Sequence, residues 1–336
     1  MTQQQLHQNW EELLRQEVLR YPERSGRLWH RSYGSSEEYA NSVASNRQQW
    51  AALLQPPAGT EPRGDLRIES VNEREKNISF SLHPLLTLEA LYMEPAAPFS
   101  PPFPLVLFQH GIGGTADMVM GRNDTVPAGY HAVGRVLARQ GFAVLAPMAV
   151  NAFQARGRIN RLALLLGSHI WALEVQAIRS LLHKAVPRLA VDPQRIAMWG
   201  LSMGGAYTLY TMPLEPMFRA GIVSAWFNHR CHKMAVEDAR YTCFLSVDEE
   251  HAFLPGLLTG FSDQDLVSLI CPRPLLIQTG ESDTIAWPPM VEEELLAAKR
   301  HYELLGCSDH LQWDRFQGGH EVRLETAVAF LKKWLS

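Results

Sequence analysis

The stretch from Arg195 to Gly205 holds the residues best suited to chemistry in this 336-residue chain. Ile196-Ala197-Met198-Trp199 is an apolar run of strand length. Gly200-Leu201-Ser202-Met203-Gly204 makes a turn, and Ala206 onward is helical in composition. Strand, sharp turn and helix form the setting of a nucleophile elbow, in which a strained turn exposes a serine hydroxyl above a sheet. Gly200 and Gly204 suit that turn because strand and helix pass too close there for a Cβ. A helix N-terminus beneath Ser202 also favours developing negative charge. Gly-x-Ser-x-Gly alone recurs by chance, so the case depends on partners elsewhere in the chain.

A serine hydroxyl is a poor nucleophile until a base takes its proton, and the base needs a third group to hold its tautomer. In a parallel sheet these groups belong on loops beyond the carboxyl ends of strands. The loop after the apolar run Pro274–Gln278 is Thr279-Gly280-Glu281-Ser282-Asp283. Asp283 is the preferred acid, because the turn after Gly280 lets a short carboxylate point back over the sheet; Glu281 is the alternative. The loop after Leu311–Phe316 reads Gln317-Gly318-Gly319-His320-Glu321, which offers His320 as the base. Ser202, Asp283 and His320 follow the order Ser…Asp…His. Acyl transfer further needs donors for an oxyanion. The backbone N–H of Met203 is one. The N–H of Ile112, in His110-Gly111-Ile112-Gly113-Gly114 after the run Leu105–Phe108, is the other.

That second loop has a rival reading, since Gly111 to Ala116 fits the dinucleotide fingerprint Gly-x-Gly-x-x-Ala. Residues 117–131 contain Gly121, Asn123, Pro127 and Gly129, which argues against a helix starting at once. The next strand ends Leu145-Ala146-Pro147-Met148, with no acid for a ribose. No cofactor is therefore expected. The four cysteines, Cys231, Cys243, Cys271 and Cys307, are too widely spaced for a disulfide framework or a zinc site and read as free thiols. His229-Arg230-Cys231-His232 lacks a second ligand pair and reads as a solvated loop, so no metal is expected.

The elements that must position these residues alternate. From Leu105 onward, strand-like runs at Leu105–Phe108, Phe142–Ala146, Ile196–Trp199, Phe218–Ser224, Pro274–Gln278 and Leu311–Phe316 are separated by helical segments, among them Ala132–Gln140, one long helix over Leu162–Ala185, Val291–Leu305 and Leu324–Leu335. That order argues a mostly parallel central sheet with helices on both faces. Leu66–Val71, Ile78–His83 and Leu86–Met93 precede it as strands. Residues 1–62 read as a helical N-terminal arm, either packed on the main domain or covering part of a cleft. Its first helix carries a stripe of Trp10, Leu13, Leu14, Val18 and Leu19, its second runs from Ser36 to Leu54, and residues 59–64 are a linker. The remainder, 63–336, is one α/β catalytic domain. Residues 227–262 break the alternation and read as a cap insertion above the carboxyl edge of the sheet. Candidate substrate contacts are Trp226, which follows the strand-like run Phe218–Ser224, and His251 and Phe253 in the cap; a core role for Trp226 is nearly as well supported.

Composition narrows the partners. The chain is 46% hydrophobic and 20% charged with a formal net charge of −4, an ordinary globular balance. Nothing in it suits nucleic acid or an anionic membrane. No apolar run approaches spanning length, and the polar start Met1-Thr2-Gln3-Gln4-Gln5 points to a cytoplasmic protein. Oligomeric state is not legible.

Together the His110-Gly111 loop, the elbow Gly200–Gly205, the loop Gly280–Asp283 and Gly319-His320 resemble an α/β-hydrolase over residues from about 66 to the end. Leu266-Val267-Ser268-Leu269-Ile270-Cys271-Pro272-Arg273-Pro274-Leu275-Leu276 is similar to the helix and Pro-Arg-Pro strand entry of the dienelactone-hydrolase and acetyl-xylan-esterase-like branch. The helical arm fits that branch too. The resemblance implies an α/β-hydrolase fold and cofactor-free hydrolysis of a small-molecule ester through an acyl-enzyme. Glucuronoyl-esterase relatives carry Arg where this chain has Met203, which speaks against a carboxylate-bearing sugar. Competing functions are a thioesterase, a peptidase or amidase of the prolyl-oligopeptidase type, and a non-enzymatic receptor. The peptidase lacks a paired-Glu motif and the length for a β-propeller. A receptor is expected to lose members of the Ser–Asp–His set, and here all three are present.

Overall fold

Along the central strands successive side chains enter two different apolar layers. Leu105, Leu107, Ile196 and Met198 belong to one, and Val106, Phe108, Ala197 and Trp199 to the other. Full burial of each of the larger side chains is worth about 1.5–3 kcal/mol, and these short apolar runs are strands covered on both faces. The computed structural model describes residues 2–60, 64–122 and 128–336. Asn123 and Pro127, and residues 61–63 of the linker, lie outside the described residues.

The strands are β1 (Leu66–Ser70), β2 (Glu75–His83), β3 (Leu86–Met93), β4 (Phe103–Gln109), β5 (Ala143–Pro147), β6 (Val191–Leu201), β7 (Phe218–Ser224), β8 (Leu275–Gly280) and β9 (Leu311–Phe316). They form one sheet in the order β1-β2-β3-β5-β4-β6-β7-β8-β9. The β1, β2, β3 and β5 neighbours pair antiparallel. All neighbours from β5 through β4 to β9 pair parallel. From β4 the chain goes first to β5 on one side and then to β6 on the other. The carboxyl ends of β4 and β6 therefore flank the point where strand order reverses, the usual place for a site in an open α/β sheet. Among the described residues no helix is long and apolar enough to cross a membrane.

Three expectations change. The proposed helix Leu162–Ala185 is two helices, Phe153–Leu165 and Ile170–Ala185. Gly167 takes a left-handed conformation between them, and the His169 side chain caps the second by accepting from the amide of Ala172. The arm's second helix is likewise broken at Val43, into Ser36–Ser42 and Ala44–Leu53. The apolar stripe of the first helix, Gln3–Leu19, does not bury: Trp10, Leu13, Leu14 and Leu19 are all exposed. The rest of the arm packs on the sheet layer. Trp29, Tyr39, Val43, Trp50 and Leu54 join the same apolar core as Leu105 and Ile196. Trp50 meets Tyr210 and Phe261 edge-on or tilted, and its Nε1 donates to the carbonyl of Tyr210 at 3.0 Å.

Candidate active site

Ser202 follows β6 directly and caps the helix Met203–Thr211. Its backbone sits at φ 58°, ψ −122°, a region that costs a non-glycine residue roughly 1–3 kcal/mol. Surrounding contacts hold it there. The Ser202 amide donates to the carbonyl of Ser224 at 2.8 Å, and the Ala206 amide to that of Ser202 at 3.1 Å. A Cβ on Gly200 would strike the backbone of Gly204, and one on Gly204 the carbonyl of Gln109. The turn is thus wedged between its own helix and the end of β4.

His320 lies beyond β9, in the loop preceding the helix Leu324–Leu335, and lines the same cavity as Ser202. Its Nδ1–H donates to Asp283 Oδ2 at 2.9 Å, leaving Nε2 as the acceptor. Asp283 lies beyond β8 and is 4% exposed; its Oδ1 accepts from the Ile285 amide at 2.9 Å. The alternative acid is placed elsewhere. Glu281 is paired with Arg315 at 2.5 and 2.9 Å on the surface, and that pairing holds its carboxyl below the usual range.

The loop after β4 packs on the elbow: a Cβ on Gly111 would meet the Leu201 carbonyl at 2.9 Å and Ser202 Cβ at 3.0 Å. Its amides are mostly committed. Gly111 N donates to Tyr130 Oη at 2.8 Å, Gly113 N to the Asn151 carbonyl at 2.9 Å, and Gly114 N to the Gly111 carbonyl at 3.1 Å. Among the described residues the Ile112 amide has no acceptor, and Met203, at the first position of its helix, has none either. Both residues line the cavity with Ser202. One expectation about this loop fails, because a short helix, Ala116–Met120, does start at once with Thr115 as its cap. The internal bonds of Gly111, Gly113 and Gly114 nevertheless leave no row of amides for a pyrophosphate.

His110 holds this loop from behind. It is buried, its Nδ1–H donates to the Gly111 carbonyl at 2.8 Å, and its Nε2 accepts from the Ala149 amide at 3.1 Å. Burial pushes its pKa down to about 4, so the ring is neutral at neutral pH. The folded value lies below the unfolded one of about 6.5. The stabilisation is therefore complete above pH 6.5 and is lost as pH falls toward 4. Denaturant unfolding at pH 7 and pH 5 should show about 2 kcal/mol lost through His110 alone. His110→Gln should be less stable than wild type at pH 7 yet lose less on acidification; an unchanged slope in the variant would contradict this origin.

The cap supplies much of the cavity wall. The cavity is about 320 Å³, and Asn228, Lys233, Phe244, Glu249 and His251 line it from the cap, facing Phe153, Ile285 and Ala286. Trp226 and His251 are among the residues that line it. Trp226 also packs on Trp171, Tyr210 and Phe244, so its two readings coexist. Phe253 does not line the cavity: it ends a short turn, Glu250–Ala252, whose buried side chains are His251 and Ala252, and is itself 40% exposed. The solvated loop expected at 229–232 is also corrected. Arg230–Ala235 is a helix, and buried Arg230 forms a bidentate pair with Asp263 at 2.8 and 2.6 Å.

Lys233, not singled out from sequence, is buried in the wall. Its ammonium donates to the carbonyl of Thr242 and, at 2.6 Å, to that of Ile285, tying the cap to the loop that carries Asp283. Burial lowers its pKa to about 8 and raises that of Glu249 nearby. Behind the elbow, buried Arg156 donates to Glu174 Oε2 and to the Val150 carbonyl, both at 2.8 Å, and to Tyr207 Oη at 3.0 Å. These residues lie far apart in sequence, and no local pattern announces them; Gly-rich turns and chain order were the signals that did exist. A wider recess of about 1150 Å³ shares Ile112, Gly113, Phe153 and Glu249 with the cavity and continues along Asn151, Gln154, Arg161, Asp248 and Glu250.

Hydroxyl, imidazole and carboxylate in this arrangement, beside two uncommitted amides, can perform nucleophilic acyl transfer. No family model matches the chain. A curated relative, "Putative hydrolase YtaP" of Bacillus subtilis (strain 168), is 30% identical over 289 residues, covering 80% of this chain and 91% of its own. Among solved structures, the "putative acetyl xylan esterase" of Bacteroides fragilis NCTC 9343 superposes with a TM-score of 0.71 at 17% identity, over 90% of this chain and 81% of its own. A glucuronoyl esterase from Solibacter usitatus gives 0.67 at 14% identity, over 90% and 95%. A CE15 glucuronoyl esterase from Caldicellulosiruptor kristjansonii gives 0.62 at 16%, over 88% and 86%. At these identities the structural likeness speaks for the fold.

Proposed function

For a chain that belongs with the "Putative hydrolase YtaP" of Bacillus subtilis and takes an α/β-hydrolase fold, we propose the activity of a serine esterase acting on short-chain carboxylic esters. The observation that carries the reading is that Ser202, at a strained elbow, lines one cavity with an imidazole whose Nδ1–H is engaged by buried Asp283. Esterases among the neighbours of the fold add support.

In this reading His320 Nε2 takes the proton of Ser202 Oγ as the oxygen bonds to the ester carbonyl carbon. The carbonyl oxygen becomes an oxyanion that accepts from the amides of Ile112 and Met203. Collapse breaks the bond to the alcohol oxygen, and His320 returns its proton to that leaving group. Water then repeats the sequence on the acyl-enzyme, releasing the acid and free Ser202. Asp283 keeps the tautomer and favours the transient imidazolium. All groups come from the chain itself.

The cavity lies at the small end of the range for ligand pockets. Phe244, Trp226 and Ala286 give it apolar wall, which suits a short acyl group. The wider recess beyond, which mixes apolar wall with Asn151, Gln154 and Arg161, has room for the alcohol portion. For p-nitrophenyl esters from acetate to octanoate, kcat/KM should fall with length. Phe244→Ala should shift the ratio of long to short esters by roughly 10-fold toward the long ones. Phe253→Ala should leave the ratio unchanged. No hydrolysis of any ester in the series, with the protein folded, would defeat the proposal.

A further inference from the structure

We propose that Glu321 is a positioning residue for the base His320, and that it couples the loop of the base to a strained clip, residues 129–132, which also braces the oxyanion loop. This role rests on the esterase reading and adds to it a second anchor for the base, at its backbone. Among the described residues the ring of His320 makes one hydrogen bond, to Asp283. That bond sets the rotation of the ring but not where the backbone carries it. Gly318 and Gly319 precede His320, and glycine has the widest backbone freedom of any residue, so the loop must be tied from outside.

The ties converge on Glu321. The Ser282 amide, in the loop of the acid, donates to the Gly318 carbonyl at 2.8 Å. The Gly319 amide donates to Glu321 Oε1 at 3.0 Å, and the Glu321 amide donates to the Gly319 carbonyl at 3.0 Å. These two bonds clamp the backbone on either side of His320. The other carboxylate oxygen, Oε2, accepts from His131 Nε2–H at 2.6 Å. A carboxylate only accepts, so the imidazole is the donor. The Gly319 amide, with help from His131, holds the Glu321 carboxyl below the usual carboxylate range, so both bonds are charge-assisted at neutral pH. Apart from His320 itself, no other side chain of residues 317–322 hydrogen-bonds among the described residues.

The far end of this contact is strained. His131 and Ala132 sit at φ 49° and 50°, a left-handed conformation unfavourable for residues with a Cβ. Such strain persists where surrounding contacts over-determine it, and each residue before Ala132 in the clip touches the site. The Gly129 carbonyl accepts from the Val322 amide at 3.0 Å, and a Cβ on Gly129 would meet the His320 carbonyl at 2.9 Å. Tyr130 Oη accepts from the Gly111 amide at 2.8 Å, in the loop that carries the Ile112 N–H. His131 holds Glu321. One segment thus fixes the base loop relative to the oxyanion loop, and the relative placement of base and oxyanion donor governs the rate.

Steady-state kinetics of the full chain with p-nitrophenyl acetate test this role in three variants. Glu321→Ala removes both carboxylate bonds; kcat should fall about 10- to 10²-fold, the scale of a misplacement of about 1 Å, with KM within about 2-fold and circular dichroism native. Glutamine keeps an oxygen for the Gly319 amide, and its N–H can face a His131 nitrogen that accepts. Glu321→Gln should therefore recover kcat to within about 5-fold of wild type. Asparagine tolerates the left-handed backbone at 131 but removes the imidazole. His131→Asn should lose roughly 3- to 10-fold in kcat, since the Gly319 bond remains, and it decides the matter if Glu321→Ala does not fold. A second readout needs no turnover. The His320 Nδ1 proton shared with Asp283 should give a downfield, slowly exchanging NMR resonance in wild type, broadened in Glu321→Ala and regained in Glu321→Gln. Wild-type turnover bears on the esterase reading alone; the ratios among variants and the resonance bear on Glu321. A kcat for Glu321→Ala within about 2-fold of wild type would overturn the role, as would a loss confined to KM. So would a lowered melting temperature with kcat and the resonance unchanged.

Discussion

Ser202→Ala is expected to remove turnover while leaving the fold in place. The drop in kcat for p-nitrophenyl acetate should be between about 10⁴- and 10⁶-fold, the range seen when the nucleophile of such a set is deleted. Nearby hydroxyls offer no substitute. The Ser224 hydroxyl donates to Gln278 Oε1 at 2.7 Å and accepts from Trp199 Nε1 at 2.9 Å, beneath the sheet edge and fully buried. Alanine keeps the Cβ that the turn already accommodates, and the Ser202 backbone bonds do not involve the hydroxyl. Stability should therefore move by less than about 1 kcal/mol. Intact-mass analysis after a fluorophosphonate probe gives a second readout: wild type should gain one adduct and the variant none. An adduct on Ser202→Ala would place the nucleophile elsewhere and end the assignment.

What the sequence made legible follows from how local each signal is. β7 lies at the residues its apolar run marked, because a strand buried on both faces leaves little freedom in composition. The elbow was readable for the same reason, with glycines where backbone passes backbone. Asp283 and His320 were reached through chain order and strand ends, which topology dictates. The long helix was drawn through Gly167 and Ser168 because both flanks share a helical period. The break needed knowledge that Ser168 Oγ donates to the Gln55 carbonyl and His169 Nε2 to that of Leu53, contacts more than a hundred residues away in sequence. Phe253 was chosen for being apolar within a charged insertion. The turn before it buries His251 and Ala252 instead, and the aromatic wall comes from Phe244 and Phe153. Lys233 and His110 carry tertiary roles that no neighbour in sequence reveals. The stripe of Trp10, Leu13 and Leu14 is a true helical period whose side chains stay exposed.

Asp283→Asn against Glu281→Gln is the comparison that most directly tests how the base is held. Asparagine at 283 keeps the size of the side chain but offers His320 Nδ1 either a neutral oxygen or an N–H. In the second case the ring must present Nδ1 as acceptor and Nε2 as the protonated nitrogen, the wrong tautomer for taking a proton from Ser202. The first case loses the charge that favours the imidazolium. kcat should fall by roughly 10³- to 10⁴-fold with KM little changed, because neither effect touches ground-state binding. The Asp283 Oδ1 contact to the Ile285 amide can survive in asparagine, so the loop should remain ordered. Glu281→Gln removes a surface pair with Arg315, and exposed pairs contribute roughly 0–1 kcal/mol to stability. Its kcat should stay within about 2-fold of wild type, since nothing couples that carboxylate to the imidazole. Parallel kcat and KM measurements on both variants, with thermal unfolding as a control, separate the two acids. A large loss in Glu281→Gln beside a mild one in Asp283→Asn would show that the 2.9 Å contact between Asp283 and His320 is not the one that orients the base.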